Sequence, residues 1–310
     1  MRVLVTGATG FVGRAISFAL LRHGHGVLAF VRDPEKARDL LSAGAAIARG
    51  DMWQPDTYVP LVAEVDAVIH AAQIVTKGRF SRVKIVEMHV SDAQMTAAVA
   101  GACADQGKAF IYTSGALTHA KYGGEWIEET ATARPCLLAH GHAEREAELL
   151  EMHRDRGLKA MIVSPGFVYG PGGFLLTTAK MLQRGRYRMI GRGDNFWSLV
   201  HVDDVGEAFA LALERGRPGE CYFLADEHPM LRRDFINAVA AGLGVPPVGN
   251  APAWLMKLLA GPALVEALTS SFRVRADKAH RELGWTPRYE SFAAALPDLL
   301  PQFRSEGSSG

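Results

Sequence analysis

The chain has 310 residues, enough for one large α/β unit or two lobes, and 34 Lys+Arg against 33 Asp+Glu leave a formal net charge of +1. So balanced a charge supplies neither a basic face for nucleic acid nor an acidic one for a cationic partner. A strand begins directly after Met1, leaving no room for a signal peptide, and no apolar run approaches the ~18 residues that span a bilayer, so a soluble cytoplasmic protein is expected. Cys103, Cys136 and Cys221 are odd in number and far apart, which predicts free buried thiols in a reducing compartment rather than disulfides or a zinc site.

Residues 2–5 (Arg-Val-Leu-Val) read as a buried strand that runs at once into Thr6-Gly7-Ala8-Thr9-Gly10-Phe11-Val12-Gly13. Residues 14–23 then have helical spacing, with Ile16, Leu20 and Leu21 on one face, and residues 26–31 form a second strand. In such a strand–turn–helix unit one glycine bends the chain, one lets backbone approach a pyrophosphate, and one lets the helix pack on the strand. The helix N-terminus offers free N–H groups to the phosphates. A tight turn without a ligand is the alternative.

Strand and helix keep alternating. Residues 33–41 are helical, 45–49 a third strand, 65–70 a fourth, 83–104 a long helix, 110–113 a fifth strand, 139–156 a helix and 159–163 a sixth strand. This order predicts an α/β fold: a Rossmann-type doubly wound parallel sheet, with ligands at the carboxyl ends of the strands. The second half is less regular. Helix 175–183 leads to a strand at 186–190. His201-Val202-Asp203-Asp204 opens another helix, capped by Asp203 or Asp204, and 221–224 is a further strand. Helix 231–243, an apolar stretch at 252–268 and two closing helices follow. The expected division is a core of 1–165, completed by about 196–226, and a smaller, mainly helical C-terminal substrate lobe of 166–195 and 227–304. Residues 305–310 form a flexible tail, native or appended.

The Gly-x-x-Gly-x-x-Gly spacing within Thr6 to Gly13 resembles the extended short-chain dehydrogenase/reductase superfamily, which includes sugar-nucleotide epimerases and many ketone reductases. Five further markers occur in that family's order: Asp51-Met52, Ala71-Ala72, Val168-Tyr169-Gly170-Pro171, His201-Val202-Asp203-Asp204 and Leu283-Gly284-Trp285-Thr286-Pro287. Each alone also fits a cap, a turn or core. Together they imply that Gly7, Thr9, Gly10, Phe11, Val12 and Gly13 cradle the pyrophosphate, that Asp51 and Met52 bracket the adenine, and that Ala71 and Ala72 run along the adenosine. Thr113 and the Pro165, Phe167, Val168 segment would flank the nicotinamide.

The resemblance breaks at the catalytic signature. The family uses a Tyr, a Lys four residues on, and a Ser or Thr near the end of strand five. Here Leu138 takes the tyrosine position, His142 the lysine position and Gly115 the hydroxyl position; a register shift of one would place Ser114 there instead. His142 then contacts the cofactor ribose or is simply a packed histidine. His140, His142 and His119 are not expected to bind metal, because residues two apart on a helix point to different sides. The arginine that sugar-nucleotide enzymes carry before His-Val-Asp-Asp is replaced by Asn195-Phe196-Trp197-Ser198, and the arginine before the strand-six proline by Ser164. Leu138, Phe174, Phe196 and Trp197 are therefore candidate walls of an apolar substrate pocket, the alternative being ordinary core.

Strand two ends Phe30-Val31-Arg32-Asp33, where an NAD enzyme would place an acidic residue on the ribose diol. Valine cannot accept those hydrogen bonds, whereas Arg32, reinforced by Lys36, can bind a 2′-phosphate, which predicts NADP(H). The alternative is a solvated arginine, with Asp33 either pairing with it or facing the ribose.

In pattern the chain resembles the atypical, tyrosine-less ketone reductases of aromatic polyketide (angucyclinone) biosynthesis. The resemblance implies NADPH-dependent reduction of a hydrophobic, aromatic ketone by a monomer or homodimer. Thr113 and Ser114 would orient the ketone, and the proton would come from the substrate's own hydroxyl or from water. Alternatively both hydroxyls only hold backbone or carboxamide. A non-enzymatic NADP(H)-binding sensor is the second reading, and a sugar-nucleotide epimerase or dehydratase the third.

Overall fold

The computed structural model describes residues 1–74 and 78–305. In chain order its first half contains β1 (Arg2–Thr6), α1 (Phe11–Arg22), β2 (Gly26–Val31), α2 (Arg38–Ser42), β3 (Ala46–Arg49), β4 (Ala67–His70), α3 (Arg82–Asp105), β5 (Ala109–Thr113), β6 (Lys121–Ile127), α4 (His140–Arg156) and β7 (Lys159–Pro165). Then come β8 (Phe167–Tyr169), α5 (Gly173–Gln183), β9 (Met189–Ile190), β10 (Phe196–Trp197), β11 (Leu199–His201), α6 (Val202–Arg215), β12 (Cys221–Leu224), β13 (Met230–Leu231) and α7 (Arg232–Gly242). The chain closes with β14 (Asn250–Ala251), α8 (Ala253–Ala260), α9 (Pro262–Thr269), β15 (Ser271–Val274) and α10 (Phe292–Ser305).

Seven strands form one parallel sheet in the order β12-β7-β5-β4-β1-β2-β3. Because successive strand residues face opposite sides, Val3 and Val5 pack with Ile16, Leu20, Leu40 and the apolar face of α6, while Leu4 packs with Val99, Cys103 and Leu149 of α3 and α4. Helices thus cover both faces, which is why the central strands are continuously apolar. Fully burying each such side chain contributes ~1.5–3 kcal/mol. A second core draws aromatic and aliphatic residues from both sides of the expected division, among them Tyr169, Trp197, Phe223, Phe235, Phe272 and Phe292. The three cysteines are free. Among the described residues no helix is long and apolar enough to cross a membrane.

Several local expectations are corrected. The helix at 33–41 is a 3-10 turn, Pro34–Ala37, followed by the short α2, because Asp33 caps a proline-led turn. The strand at 186–190 shrinks to β9. The lobe also carries a four-stranded sheet, β13-β10-β15-β6. Strand β6 has almost no buried face and so no alternation to read. In place of two closing helices there are β15, a π turn at Ala279–Leu283, and α10 alone.

The cap of α6 is His201, whose Nδ1 accepts from the Asp203 amide at 3.2 Å, rather than an aspartate. Asp204 is buried and turned toward the C-terminal segment instead. Its carboxylate accepts from the amides of Arg288 (2.7 Å) and Tyr289 (3.3 Å), and its carbonyl accepts from the Trp285 indole at 2.9 Å. The His201–Asp204 and Leu283–Pro287 motifs are therefore two halves of one clasp between the core and the end of the chain. Asp204→Ala strands two amides, each costing ~1–3 kcal/mol. Thermal or denaturant unfolding of that variant should show a loss of about 2–5 kcal/mol, and a loss within 0.5 kcal/mol would contradict the clasp.

Candidate active site

The turn between β1 and α1 is built by close approach. Gly7 has φ +69°, and a Cβ there would lie 2.6 Å from the Ala71 carbonyl oxygen and 2.7 Å from Ala72 Cα. A Cβ on Gly13 would lie 2.2 Å from the Gly7 carbonyl oxygen. The turn therefore rests directly on the segment after β4 and the helix on the turn. Gly10 caps α1 and has no side chain to occupy its first N–H groups, leaving them for an anion. The Phe11 ring packs on Gly170, Gly172 and Gly173, while Val12 packs against the core and Thr9 is half-buried. Beneath the turn, Thr6 Oγ1 lies 2.8 Å from His70 Nδ1 and accepts from the Ala72 amide at 3.4 Å. Burial pushes His70 down to about 4 against the opposing pull of Asp92, so it is a neutral brace.

At the end of β2, Arg32 is exposed, and no described residue pairs with it. Asp33 Oδ1 accepts from the Glu35 amide at 3.2 Å and Oδ2 lies 4.0 Å from Lys36, so Asp33 serves its own turn rather than Arg32. Asp51 Oδ1 accepts from the Trp53 amide, and Met52 packs against the core below.

At the carboxyl end of β5, alternation separates the two hydroxyls. Thr113 Oγ1 is buried without a partner. Ser114 donates to Glu146 of α4, which also accepts from Ser164 at 3.3 Å. Burial raises the Glu146 carboxyl to about 7, against the opposing hydrogen bonds from Ser114, Ser164 and Thr118. Gly115 is extended (φ −175°), and a Cβ there would meet only the Pro165 carbonyl oxygen at 3.8 Å. Nothing in the backbone forbids a serine at that position.

A cleft opens beside this strand end. Gln73 and Ile74, just past the Ala71–Ala72 segment, form one wall, Met88, His89 and Asp92 of α3 a second, and Leu138, Gly141 and His142 a third. His142 Nδ1 lies 2.7 Å from the Tyr112 hydroxyl, which donates to Asp92 Oδ2 at 3.2 Å. Burial lowers the His142 pKa, with Asp92 pulling it up and His89 and Arg145 adding to the lowering. His140 faces outward, 3.3 Å from Glu144, so the two histidines do diverge. His119 is buried between Thr118 Oγ1 (2.9 Å) and the Ala131 carbonyl (3.0 Å). Among the described residues no group of three or more His, Cys, Asp or Glu could hold a metal.

The proposed pocket aromatics are not gathered into this cleft. Trp197 is 1% exposed, stacked on Phe167 at 4.3 Å between centroids, with Phe174 edge-on to both. Phe196 points to the opposite face of β10, under the Arg273 guanidinium. The pair read as one wall is therefore split, Trp197 lying in the lobe core. Pro165 is buried at the end of β7, and Val168 lies in β8 beside β11.

Asp92, Tyr112, His89 and Glu146 were not among the sequence candidates. Two signals were present: Tyr112 immediately precedes Thr113-Ser114, and Asp92 is the one charge among the small and apolar residues that α3 buries.

The NAD dependent epimerase/dehydratase family profile matches residues 3–225. A 4-hydroxy-2-methyl-3-oxo-4-farnesyl-3,4-dihydroquinoline-1-oxide ketoreductase of Stigmatella aurantiaca is 28% identical, over 93% of this chain and 92% of its own. A 2-alkyl-3-oxoalkanoate reductase of Stenotrophomonas maltophilia is also 28% identical, over 99% and 96%. The crystal structure of gox2253 superposes with a TM-score of 0.81 at 28% identity, covering 98% of each chain.

Because the folded state holds the Glu146 proton more tightly than the unfolded chain does, stability from this group is full below its ordinary range near 4.5 and is lost as pH rises through about 7. Glu146→Gln should therefore flatten the fall of the melting temperature between those pH values. Some slope should persist, because Asp226 is likewise raised to about 7 by burial. An unchanged slope would show that Glu146 is already ionised in the fold.

Proposed function

Since the chain belongs to the NAD dependent epimerase/dehydratase family, we propose that it is an NADPH-dependent ketoreductase acting on a hydrophobic, aromatic polyketide-type ketone without the usual catalytic tyrosine. The observation that carries this reading is the cleft itself. It adjoins the Gly7–Ala71 cradle and is lined by Leu138 and His142, the residues we read at the family's tyrosine and lysine positions. The reductase names of the two relatives point to the same reaction class.

The bound nicotinamide supplies the hydride, and this chain's residues bind and orient it. Gly7 and Gly13 let the turn and α1 close onto the strand ends, which aims the α1 N-terminus, capped by Gly10, at the pyrophosphate. The unpartnered Thr113 hydroxyl meets the carboxamide or the ketone. Leu138 and Met88 give the cleft apolar walls, while Phe167, fixed by Trp197 and Phe174, stiffens the segment between β7 and β8. Orientation of this kind lowers a barrier by ~7–11 kcal/mol in favourable cases, against a rate loss of ~10²–10⁴ for a missing general acid. With no bulky cationic clamp for a diphosphate in the 195–198 segment, a sugar nucleotide fits this site less well.

Arg32, which no described residue pairs with, would take the 2′-phosphate, with Lys36 nearby. Calorimetry should show NADP(H) bound more tightly than NAD(H), and Arg32→Ala should weaken NADP(H) alone by about tenfold to hundredfold, the size of a charged hydrogen bond. Tighter NAD(H) binding, or unchanged NADP(H) affinity in the variant, would reverse the assignment. NADPH oxidation with a panel of aromatic ketones tests the reaction. Tight cofactor binding with no oxidation by any of them would favour an NADP(H) sensor.

A further inference from the structure

Resting on the reductase reading, we propose that His142 is the catalytic acid–base that exchanges the proton with the substrate oxygen, and that Tyr112 and Asp92 are positioning residues that hold its ring and stabilise its charged form. Protons decide which way the hydrogen bonds around this ring run. The Tyr112 hydroxyl has one, and it goes to the Asp92 carboxylate at 3.2 Å, which can only accept. The 2.7 Å contact between Tyr112 and His142 Nδ1 must then be filled by an Nδ1–H donating to the phenol oxygen. On this count Nδ1 carries hydrogen, and Nε2, the nitrogen left for the cleft, carries a lone pair. The order His–Tyr–Asp, with the carboxylate at the buried end, resembles in logic the histidine–carboxylate pairs that orient and stabilise an imidazolium.

Three elements converge to build it. Strand β5 brings Tyr112, α3 brings Asp92, and α4 brings His142 one turn after Leu138. The groups that face the ring are Asp92 and His89 on α3, Arg145 on its own helix, Tyr112 on β5 and His70 on β4. Glu146 lies behind Tyr112 and bonds Ser114 instead. Asp92 is therefore the one carboxylate coupled to the ring through a hydrogen-bonded partner. Gly141 is what allows the wall to close, since a Cβ there would lie 2.7 Å from the His89 ring.

The step balances as follows. The carbonyl carbon receives hydride from NADPH, the C=O π pair moves to oxygen, and that oxygen takes the Nε2 proton of the imidazolium. The products are the alcohol, NADP⁺ and neutral His142, which is reprotonated from solvent through the cleft. In reverse, neutral Nε2 takes the alcohol proton as hydride leaves. The imidazolium form is needed for reduction and the neutral form for oxidation. Burial disfavours the charged form, so reduction should quicken as pH falls below the ordinary histidine value near 6.5 and oxidation as it rises. No substrate hydroxyl is required as proton donor, in contrast to the expectation from sequence.

The test has two arms on the intact protein. Long-range ¹H–¹⁵N NMR of the free protein should show His142 protonated at Nδ1 and bare at Nε2. Tyr112→Phe should move the proton to Nε2 and lower the ring's titration. In turnover with an aromatic ketone, His142→Gln should cut kcat by ~10²–10⁴ with the NADPH Kd within about twofold, and added imidazole should restore part of the rate to His142→Ala. Tyr112→Phe and Asp92→Asn should shift the pH profile of reduction to lower pH. An Nε2–H tautomer in the wild type, or a His142→Gln variant with unchanged kcat and pH profile, overturns the proposal and leaves the reductase reading standing. A tenfold weaker NADPH Kd with unchanged kcat assigns His142 to the ribose and also overturns it. A wild type that oxidises no NADPH with any ketone overturns both.

Discussion

The rest of the site depends on backbone approaching backbone across the top of the sheet. Gly13 sits where any side chain would enter the Gly7 carbonyl, and Gly7 sits where any side chain would enter Ala71 and Ala72. With those gaps closed, α1 points its N-terminus over the strand ends and Thr6 can brace His70 and the Ala72 amide. Gln73 and Ile74 then emerge as a wall of the cleft. One steric constraint thus positions both the glycine turn and the chamber next to it.

Leu138, just before α4, brings no polar group to the chamber wall, and the phenol in this region is Tyr112, near the end of β5. It is buried, its pKa is raised by burial and by Asp92, and it serves as a linker between Asp92 and His142. Ser114 and Ser164 give the Glu146 carboxyl hydroxyl partners, and burial raises it to about 7. The region thus combines two buried carboxyls, Asp92 and Glu146, with the buried Arg145 guanidinium and with hydrogen bonds from the Tyr112, Ser114 and Ser164 hydroxyls.

Sheet, helix order and the glycine turn were legible from sequence because each carries a local signal. Apolar β-branched runs such as Val3–Val5 mark strands, and glycines at fixed spacing mark the turn. The division of labour among side chains was not legible to the same degree. Phe196 and Trp197 are adjacent and both aromatic, and only strand register reveals that they face opposite sides. His142 and Tyr112 are thirty residues apart and Asp92 a further twenty, so no spacing rule joins them before the fold does. The capping of α6 was misassigned for a related reason. Asp204 satisfies amides 84 and 85 residues away in place of its own helix end, a partner that local capping statistics do not contain.

The central claim is that hydride passes from a nicotinamide held in this cradle to a ketone carbon in the adjoining cleft. The most direct measurement is a single turnover with NADPH deuterated at one face of C4, with the product examined by NMR and mass spectrometry. The account predicts deuterium on the carbinol carbon from one face only, with a primary isotope effect on the transfer. Deuterium retained on the cofactor from both faces, or found in solvent instead of product, would contradict it.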